Sequence, residues 1–545
     1  MAISETEVLI VGAGPTGLTL ANILGMHGVH AVLVERNAAT VGEPRAVSID
    51  DESLRTMQYI DLIDTVRGSI VQGYGSHYFS PTGKCFAKVL PDTMEYGYAK
   101  RSAFRQPILE AQLREGLKRF PSVQPRFSSK VTRLEERGDS VRAEITGPDG
   151  TVDELRAQYV AACDGGRSGI REALGIKMGG STYDEKWLIV DLSGSTEPFR
   201  HTRVFCDPAR PGLALPGPEG TRRYEFMMLP GEDPVELLDE TRVRALLARH
   251  SFEDAHLPIA RKVIYHFHAR LAQRWRSGRV FLAGDAAHLT PPFAGQGMNS
   301  GVRDAQNLGW KLVYCLRGGL GAGALDSYEA ERKPHAWALI QMAVRMGHVM
   351  MPRSRTNSLV TRAAFRTLAL YRPARDYVMQ MKYKPQPFYE QGLVVGDAGR
   401  NLRGRMFGQP LVEQRDGSRV LLDALLGNGF AIVELDDGKL PVAPARTERT
   451  LDAATLRVIP RDHRFLPRDP FEVTQVRDVT GTIGRLFAES RIRGAILRPD
   501  RYVACGLART SGADEADRSL DALVRLSNTA SATATPPAPL DLAIA

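Results

Sequence analysis

The sequence predicts an α/β fold with a Rossmann-like N-terminal unit, a strand-rich second unit and a C-terminal α/β unit. Three observations carry this. Residues 7–36, EVLIVGAGPTGLTLANILGMHGVHAVLVER, read as strand, glycine turn, helix and strand. Residues 279–312 repeat the order of buried strand, glycine-rich loop and helix. The segment between about 181 and 275 is dominated by short strand-like runs. A chain of 545 residues has room for two to four such units.

The elements follow in order. Val8–Val11 is a continuous aliphatic run, as expected of a strand covered on both faces. Leu18, Leu20, Ala21, Leu24 and Gly25 then recur at helical spacing, and Gly28 ends that helix. Ala31–Val34 is a second buried strand, completing a βαβ unit of about 30 residues. Residues 50–65 read as helix, 67–100 as strands and turns, and 106–120 as helix. Strands are expected at 131–135, 141–145, 157–163, 187–192, 223–229, 262–269 and 279–283. A helix should follow at 300–317, and 325–385 should be mostly helical. Gly, Arg and Pro cluster near 395–410, which reads as a linker. The last residues, 526–545, are small, polar and Pro-rich, the composition of a disordered tail.

Composition excludes several classes. The net charge of +8 is spread along the chain, so no basic run marks a nucleic-acid tail. Five cysteines, Cys85, Cys163, Cys206, Cys315 and Cys505, form no CxxC, which argues against a disulfide framework and against a metal site. A reducing cytoplasm is the expected location. No signal peptide and no membrane-spanning stretch are expected.

Gly12, Gly14 and Gly17 form G-x-G-x-x-G between a strand and a helix. The first permits the turn, the second lets backbone approach a diphosphate, and the third lets helix and strand pack closely. The helix N-terminus offers free N–H groups and its positive dipole end. Glu35, 18 residues after Gly17, stands where an acid bonds a ribose hydroxyl. An ordinary glycine-rich turn would leave Glu35 without a reason. This motif does not separate FAD from NAD. The second region does: Gly284-Asp285 ends a strand, where a carboxylate can accept from a polyol such as ribityl. The glycines Gly295 and Gly297 let backbone pass close to a flat ring, and the helix opening near Asn299 can stabilise negative charge on it. Cys163-Asp164-Gly165-Gly166-Arg167-Ser168 is by spacing a turn and a helix start.

GAGPTGL, ACDGGRS and LAGDAAHLTPPFAGQGMNSGVRDAQNLGWKL, in this order, resemble the group A FAD-dependent aromatic monooxygenases, over residues 5–390. PRAVSIDDESLRTMQ, SAFRQP, RRYEFMMLPGE and ILRPDRYVA sharpen the likeness toward the branch acting on 3-(3-hydroxyphenyl)propionate. The resemblance implies a para-hydroxybenzoate hydroxylase type FAD-binding domain in two parts, 1–180 (with inserted strands at about 67–100) and 276–395. A substrate-binding β-sheet domain at 181–275 and a thioredoxin-like domain at 410–525 complete it. It implies FAD, NADH or NADPH and O2 as cofactor and co-substrates, and a small phenolic substrate hydroxylated ortho to its hydroxyl through a C4a-hydroperoxyflavin. Gly12, Gly14, Gly17, Glu35, Arg36, Arg45, Gln106, Asp164, Gly165, Gly284, Asp285, Gly295, Gly297, Met298 and Asn299 would hold FAD. Pro292 would lie over the flavin in the loop where the peroxide forms. In some relatives a polar residue follows two positions after the arginine matching Arg45; here it is Val47, so their acid–base scheme does not transfer.

Polar residues for the substrate are expected in the strand-rich segment: Arg203, Arg223, Tyr224, His266 and His268, with His268 and Tyr224 as acid–base candidates. Period-two alternation puts Ile264, His266 and His268 on one face of their strand. His288 is expected to support the loop, and Asp50 and Asp51 to be helix N-terminal charges. A homodimer through 325–390 and the C-terminal unit is a further expectation; neither nucleic acid nor membrane is expected as a partner. Another phenol (a nitrocatechol, resorcinol or polyketide) and a non-hydroxylating FAD-binding protein remain open. A flavin halogenase is disfavoured, since the expected Trp-x-Trp-x-Ile-Pro is missing and Trp187, Trp275, Trp310 and Trp337 stand alone.

Overall fold

Val8, Leu9 and Ile10 have no solvent exposure because their strand, Ser4–Val11, lies inside a nine-stranded sheet. The computed structural model describes residues 4–40, 42, 45–352, 354–438, 451–465, 473–512, 514–529 and 541–544. Ser4–Val11 is parallel to Ala31–Val34 on one side and to Val152–Ala162 on the other, and Val123–Arg126 extends the parallel set. The strand Val152–Ala162 forks. Its first half pairs antiparallel with Ser140–Thr146, while Val160–Ala162 pairs parallel with Val280–Leu282. The helices Pro15–Met26 and Gly297–Leu316 thus both start at the same end of the sheet, where parallel strands deliver the chain to ligand loops.

The second sheet has eight strands, in the order His288–Leu289, Ile259–Ala272, Met178–Leu192, Arg222–Met227, Gly212–Pro216, Thr202–Phe205, Ser76–Phe79 and Cys85–Val89. Its two faces differ sharply. One buries Leu188, Val190, Ala214, Tyr224 and Phe226 against Leu237, Val243 and Leu247 from two short helices. The other turns toward the first unit and floors a cavity. The strands expected at 67–100 do form, but Ser76–Phe79 and Cys85–Val89 join this sheet through Thr202–Phe205, while Val71–Gln72 pairs with Ser102–Ala103 in a separate small sheet. Alternation marks a strand; its partner is a long-range choice.

Three helices, Ser327–Met350, Arg355–Leu370 and Arg372–Met379, occupy the expected helical region. The segment read as a linker is packed: Val395 N–H donates to Ala504 O at 2.8 Å, and Phe407 is buried. Its Gly/Pro/Arg composition signals turns, and turns can also be buried when their backbone groups find partners. The C-terminal unit has three parallel strands, Phe430–Leu435, Ala453–Ile459 and Thr474–Arg477. Two antiparallel ones, Ile492–Leu497 and Val503–Ala508, continue the sheet, which is thioredoxin-like. The motif at 496–504 locks this unit down. Arg498 pairs with Glu331 at 2.7 Å, and Tyr502 stacks on Tyr389 with centroids 4.0 Å apart.

The expected disordered tail needs correction where it is described. The helix Glu515–Asn528 runs into it, and Asp541–Ala543 adds to the edge of the first sheet beside Lys130–Arg137. Its backbone gains a sheet edge that composition alone does not reveal. Residues 530–540 and 545 of that expectation lie outside the described residues. Among the described residues no helix is long and apolar enough to cross a membrane.

Candidate functional site

The glycine turn is built for close backbone contact. Gly12 has φ +105°, and a Cβ there would lie 2.4 Å from Cys163 O; a Cβ on Gly17 would lie 2.0 Å from Gly12 O. At Gly14 a Cβ would meet nothing within 4 Å, so this side of the turn is open to a ligand. Gly14 caps the helix Pro15–Met26, whose first N–H groups face that space. Glu35 holds the end of its strand: Oε2 accepts from Ala13 N–H at 2.8 Å and Oε1 from Asn37 N–H at 2.9 Å. Lone pairs remain for a ribose hydroxyl. Arg36 is exposed and stands outside the cavity.

A cavity of about 360 Å³ runs from this turn to the second sheet. Gly14, Arg45, Gln106, Gly165, Asp285, Pro292, Gly295, Gly297 and Met298 line it, which brings most of the residues expected around FAD together. The others stand behind them. Gly284 N–H donates to Asp304, and Asp304 also holds His288 Nε2 at 2.7 Å and Arg332 Nε at 2.8 Å. His288 is therefore a strut for the loop, as expected. Asn299 is consumed internally: its amide donates to Gly295 O and Ser48 O, and its oxygen accepts from Asp50 N–H and Ser53 Oγ. Gln106 fixes the rim by accepting from Ala46 N–H at 2.7 Å.

Two carboxylates are left wanting. Asp285 sits deep in the protein, but its side chain is exposed to the cavity and takes no hydrogen bond from the described residues; burial raises its pKa. Asp164 Oδ1 is buried without a partner. A free acceptor at the cavity wall, Asp285, with Asp164 behind the wall and an open glycine turn beside it, fits a polyol-bearing dinucleotide such as FAD.

The floor of the cavity corrects the substrate expectations. Of the residues proposed there, Arg223 lines it, and it is already neutralised by Asp191 in a two-bond pair at 2.7 and 3.0 Å. Tyr224 points to the opposite face, is fully buried and donates to Asp254 at 2.7 Å. Arg203 pairs with Glu197 at 2.9 Å on that same opposite face. His266 is exposed, and His268 bonds Thr182 Oγ1 at 3.0 Å; neither lines the cavity. Alternation fixed which residues share a face, but which face meets the flavin loop depended on sheet packing.

The cavity residues that were missed include Glu225 and Arg101. Glu225 follows from the same alternation, two positions after Arg223. It is 5% exposed, and burial pushes its pKa up to about 7, with Arg223 opposing and Asp191 adding to the shift. A carboxyl poised there can hold or release a proton inside the cavity. Its raised folded pKa makes the native state bind more protons than the unfolded chain between about pH 4.5 and 7, so stability falls across that window. Glu225→Gln is expected to abolish that fall and to remove an ionisation near pH 7 from the pH profile of substrate binding. Denaturant melts and binding titrations across pH 4–9 check this, and an unchanged profile would exclude the role. Arg101, also missed, precedes SAFRQP and has no local sequence signal.

The chain matches the FAD binding domain family over residues 5–343 and the HcaD C-terminal domain over 404–524. A 3-(3-hydroxy-phenyl)propionate/3-hydroxycinnamic acid hydroxylase of Klebsiella pneumoniae is 38% identical, covering 93% of both chains. One from Burkholderia cenocepacia is 39% identical over 92% of this chain and 94% of its own. Among solved structures, the flavin-dependent monooxygenase PieE with FAD and substrate superposes with a TM-score of 0.79 at 23% identity, covering 96% of this chain and 99% of its own. Aklavinone-11 hydroxylase with FAD and aklavinone gives 0.78 at 24%, covering 96% and 100%. These two likenesses speak for the fold. With a family match across more than half its length and relatives alike from end to end, the chain belongs to the FAD-dependent aromatic hydroxylases that carry an HcaD-type C-terminal domain.

Proposed function

We propose that this enzyme hydroxylates 3-(3-hydroxyphenyl)propionate or 3-hydroxycinnamate ortho to the phenol hydroxyl, using NADH or NADPH and dioxygen. The observation that carries the reading is the continuity of the cavity: one space joins Gly14 and Asp285 to a floor made by the second sheet. Substrate and flavin can therefore meet in one space. The names of the full-length relatives support the choice of phenol.

The residues fit FAD in a definite order. Gly12, Gly14, Gly17 and the helix N-terminus would take the diphosphate, Glu35 the ribose and Asp285 the ribityl chain. Arg36, Arg45, Gln106 and the Asp164-Gly165 turn would flank the nucleotide. Gly295, Gly297 and Met298 would back the ring with peptide groups, and Asn299 would hold that loop in shape. FAD, when bound, supplies hydride acceptance and the activation of dioxygen. The chain's own part is positioning and dryness. Phe293, Met350 and Met381 wall the cavity with apolar surface, Pro292 covers its flavin-loop side, and Glu225 offers a proton site near pH 7.

The test is oxidation of NADH and of NADPH by the purified yellow protein across a phenol panel, with product mass determined. A product heavier by one oxygen from 3-(3-hydroxyphenyl)propionate, with matched cofactor loss, is expected. Stimulated oxidation that yields only peroxide from this substrate, with hydroxylation of resorcinol or a nitrocatechol instead, would move the enzyme to a different phenol.

A further inference from the structure

Arg101 is chemically out of place among the arginines of this protein. The buried arginines of the described chain each hold a carboxylate, as Arg55 holds Asp423, Arg223 holds Asp191, Arg332 holds Asp304 and Arg498 holds Glu331. Arg101 lines the cavity, and among the described residues no carboxylate pairs with it. Its bonds go to neutral hydroxyls: Nη1 donates to Ser76 Oγ at 2.7 Å and Nη2 to Tyr74 OH at 3.1 Å. Its guanidinium carbon lies 4.5 Å from the centroid of the Tyr74 ring, and its Nε is buried without a partner.

Arg101 is half-buried, and a guanidinium partly withdrawn from water is stabilised by an anion that offsets its lost hydration. Here only dipoles and a ring face stand in for one. A second group at the same spot is also unsatisfied. Thr202 is the strand partner of Ser76 and lines the same cavity, and its Oγ1 is buried with no hydrogen-bond partner. Tyr78, two residues along from Ser76 on the same face, completes the wall. Cation, hydroxyl and phenol thus converge where, among the described residues, no carboxylate pairs with the cation.

The location suits one end of an elongated ligand. Ser76 and Arg223 sit on strands three places apart in the sheet, a separation of about 14 Å at the usual strand spacing. At the Arg223 end the cation is neutralised by Asp191, and Arg223 Nη1 donates to Arg45 O at 2.8 Å. One end of the floor is therefore a balanced ion pair, and the other an unbalanced positive charge.

We propose that Arg101, with Thr202, is the subsite that binds the carboxylate of the substrate's side arm, and so selects phenols carrying an anionic chain. This rests on the proposed function above and adds the group that reads the arm. A carboxylate there gains charge-assisted hydrogen bonds and gives Arg101 the counter-ion it lacks. The phenol end is left to the flavin loop and Glu225.

The experiment is an equilibrium titration of the FAD-loaded enzyme, without NAD(P)H, followed by the change in flavin absorbance. The ligands are 3-(3-hydroxyphenyl)propionate and its neutral primary amide; the proteins are wild type, Arg101→Gln, Arg101→Lys and Thr202→Val. Flavin content and melting temperature of each variant verify folding, and Arg101→Lys keeps a cation should Arg101→Gln fold poorly. Wild type is expected to prefer the acid, and Arg101→Gln to lose about 100-fold in affinity for the acid with little change for the amide. Arg101→Lys should keep part of the preference, and Thr202→Val should weaken the acid several-fold. Folded variants at Arg101 that still prefer the acid as wild type does would overturn the subsite while leaving the proposed function standing. An equal loss for acid and amide would assign Arg101 to the phenol instead and also overturn it. Wild type that binds neither ligand would overturn the proposed substrate, and the subsite with it.

Discussion

Glu331→Ala is expected to destabilise the protein by about 3–5 kcal/mol, because it strands the buried Lys311 without a counter-charge and leaves Arg498 with Asp500 alone. Glu331 is 1% exposed and accepts from Arg498 at 2.7 and 2.8 Å, from Lys311 at 2.7 Å and from Asn307 at 2.7 Å. Arg498 comes from the C-terminal unit, whereas Lys311 and Asn307 come from the helix that begins at the flavin loop. The carboxylate is thus the junction between the thioredoxin-like unit and the dinucleotide fold. Its loss leaves Arg498 with Asp500 and Lys311 with Asn307. Denaturant melts followed by fluorescence should show the drop, with faster proteolysis of the C-terminal unit. Burial alone would raise the Glu331 pKa, but Arg498 and Lys311 outweigh it and bring it down to about 2. With the folded pKa below that of the unfolded chain, the advantage of wild type over Glu331→Gln is full above about pH 4.5 and fades as pH falls toward 2. A loss no larger than about 1 kcal/mol, the value of an exposed pair, would mean that this junction is hydrated and not structural.

Gly12→Ala should yield a protein that folds poorly and retains no FAD, whereas Gly14→Ala should fold normally and bind FAD weakly. The two positions lie in one turn and differ in what a methyl group meets. At Gly12 it would press on Cys163 O from 2.4 Å with φ at +105°. The backbone cannot step aside, because Gly12 N–H is tied to Val34 O and Cys163 N–H to Val11 O, each at 2.8 Å. The unusual φ alone costs about 1–3 kcal/mol for a residue with a Cβ, and the clash adds to it. At Gly14 the methyl group meets only open space within 4 Å, so the apoprotein keeps its melting temperature. The penalty falls on the ligand, since the methyl stands where the diphosphate must approach. Apoprotein melting and flavin fluorescence titration separate the two. Gly12→Ala with wild-type melting and wild-type FAD affinity would refute the account of this turn.

Local chemistry made the cofactor half of the site legible. Gly12, Gly14, Gly17 and Glu35 declare themselves by spacing within about 25 residues of chain, and Gly284-Asp285 through Asn299 do the same within one loop. Each motif is a strand, a turn and a helix that fold against each other, so neighbours in sequence are neighbours in space. The strand-rich segment was legible as strands for the same reason: period-two alternation is local.

The substrate half was decided elsewhere. Arg223, Tyr224 and Glu225 are consecutive in sequence, but Tyr224 turns to the helices and Glu225 to the cavity, and only the packing of sheet against flavin loop says which is which. Ser76–Phe79 joined the sheet through Thr202–Phe205, which begins more than a hundred residues later. Arg101 is the sharpest case, for its meaning lies in the carboxylate that no neighbouring element brings. By itself the sequence determined the fold class, the cofactor and the open glycine turn proposed to meet it, because short-range sterics and backbone hydrogen bonding fix those. The tertiary structure decided which face of the second sheet became the floor and which charges were left unpaired. Those depend on contacts between residues far apart in the chain, which no window of sequence contains.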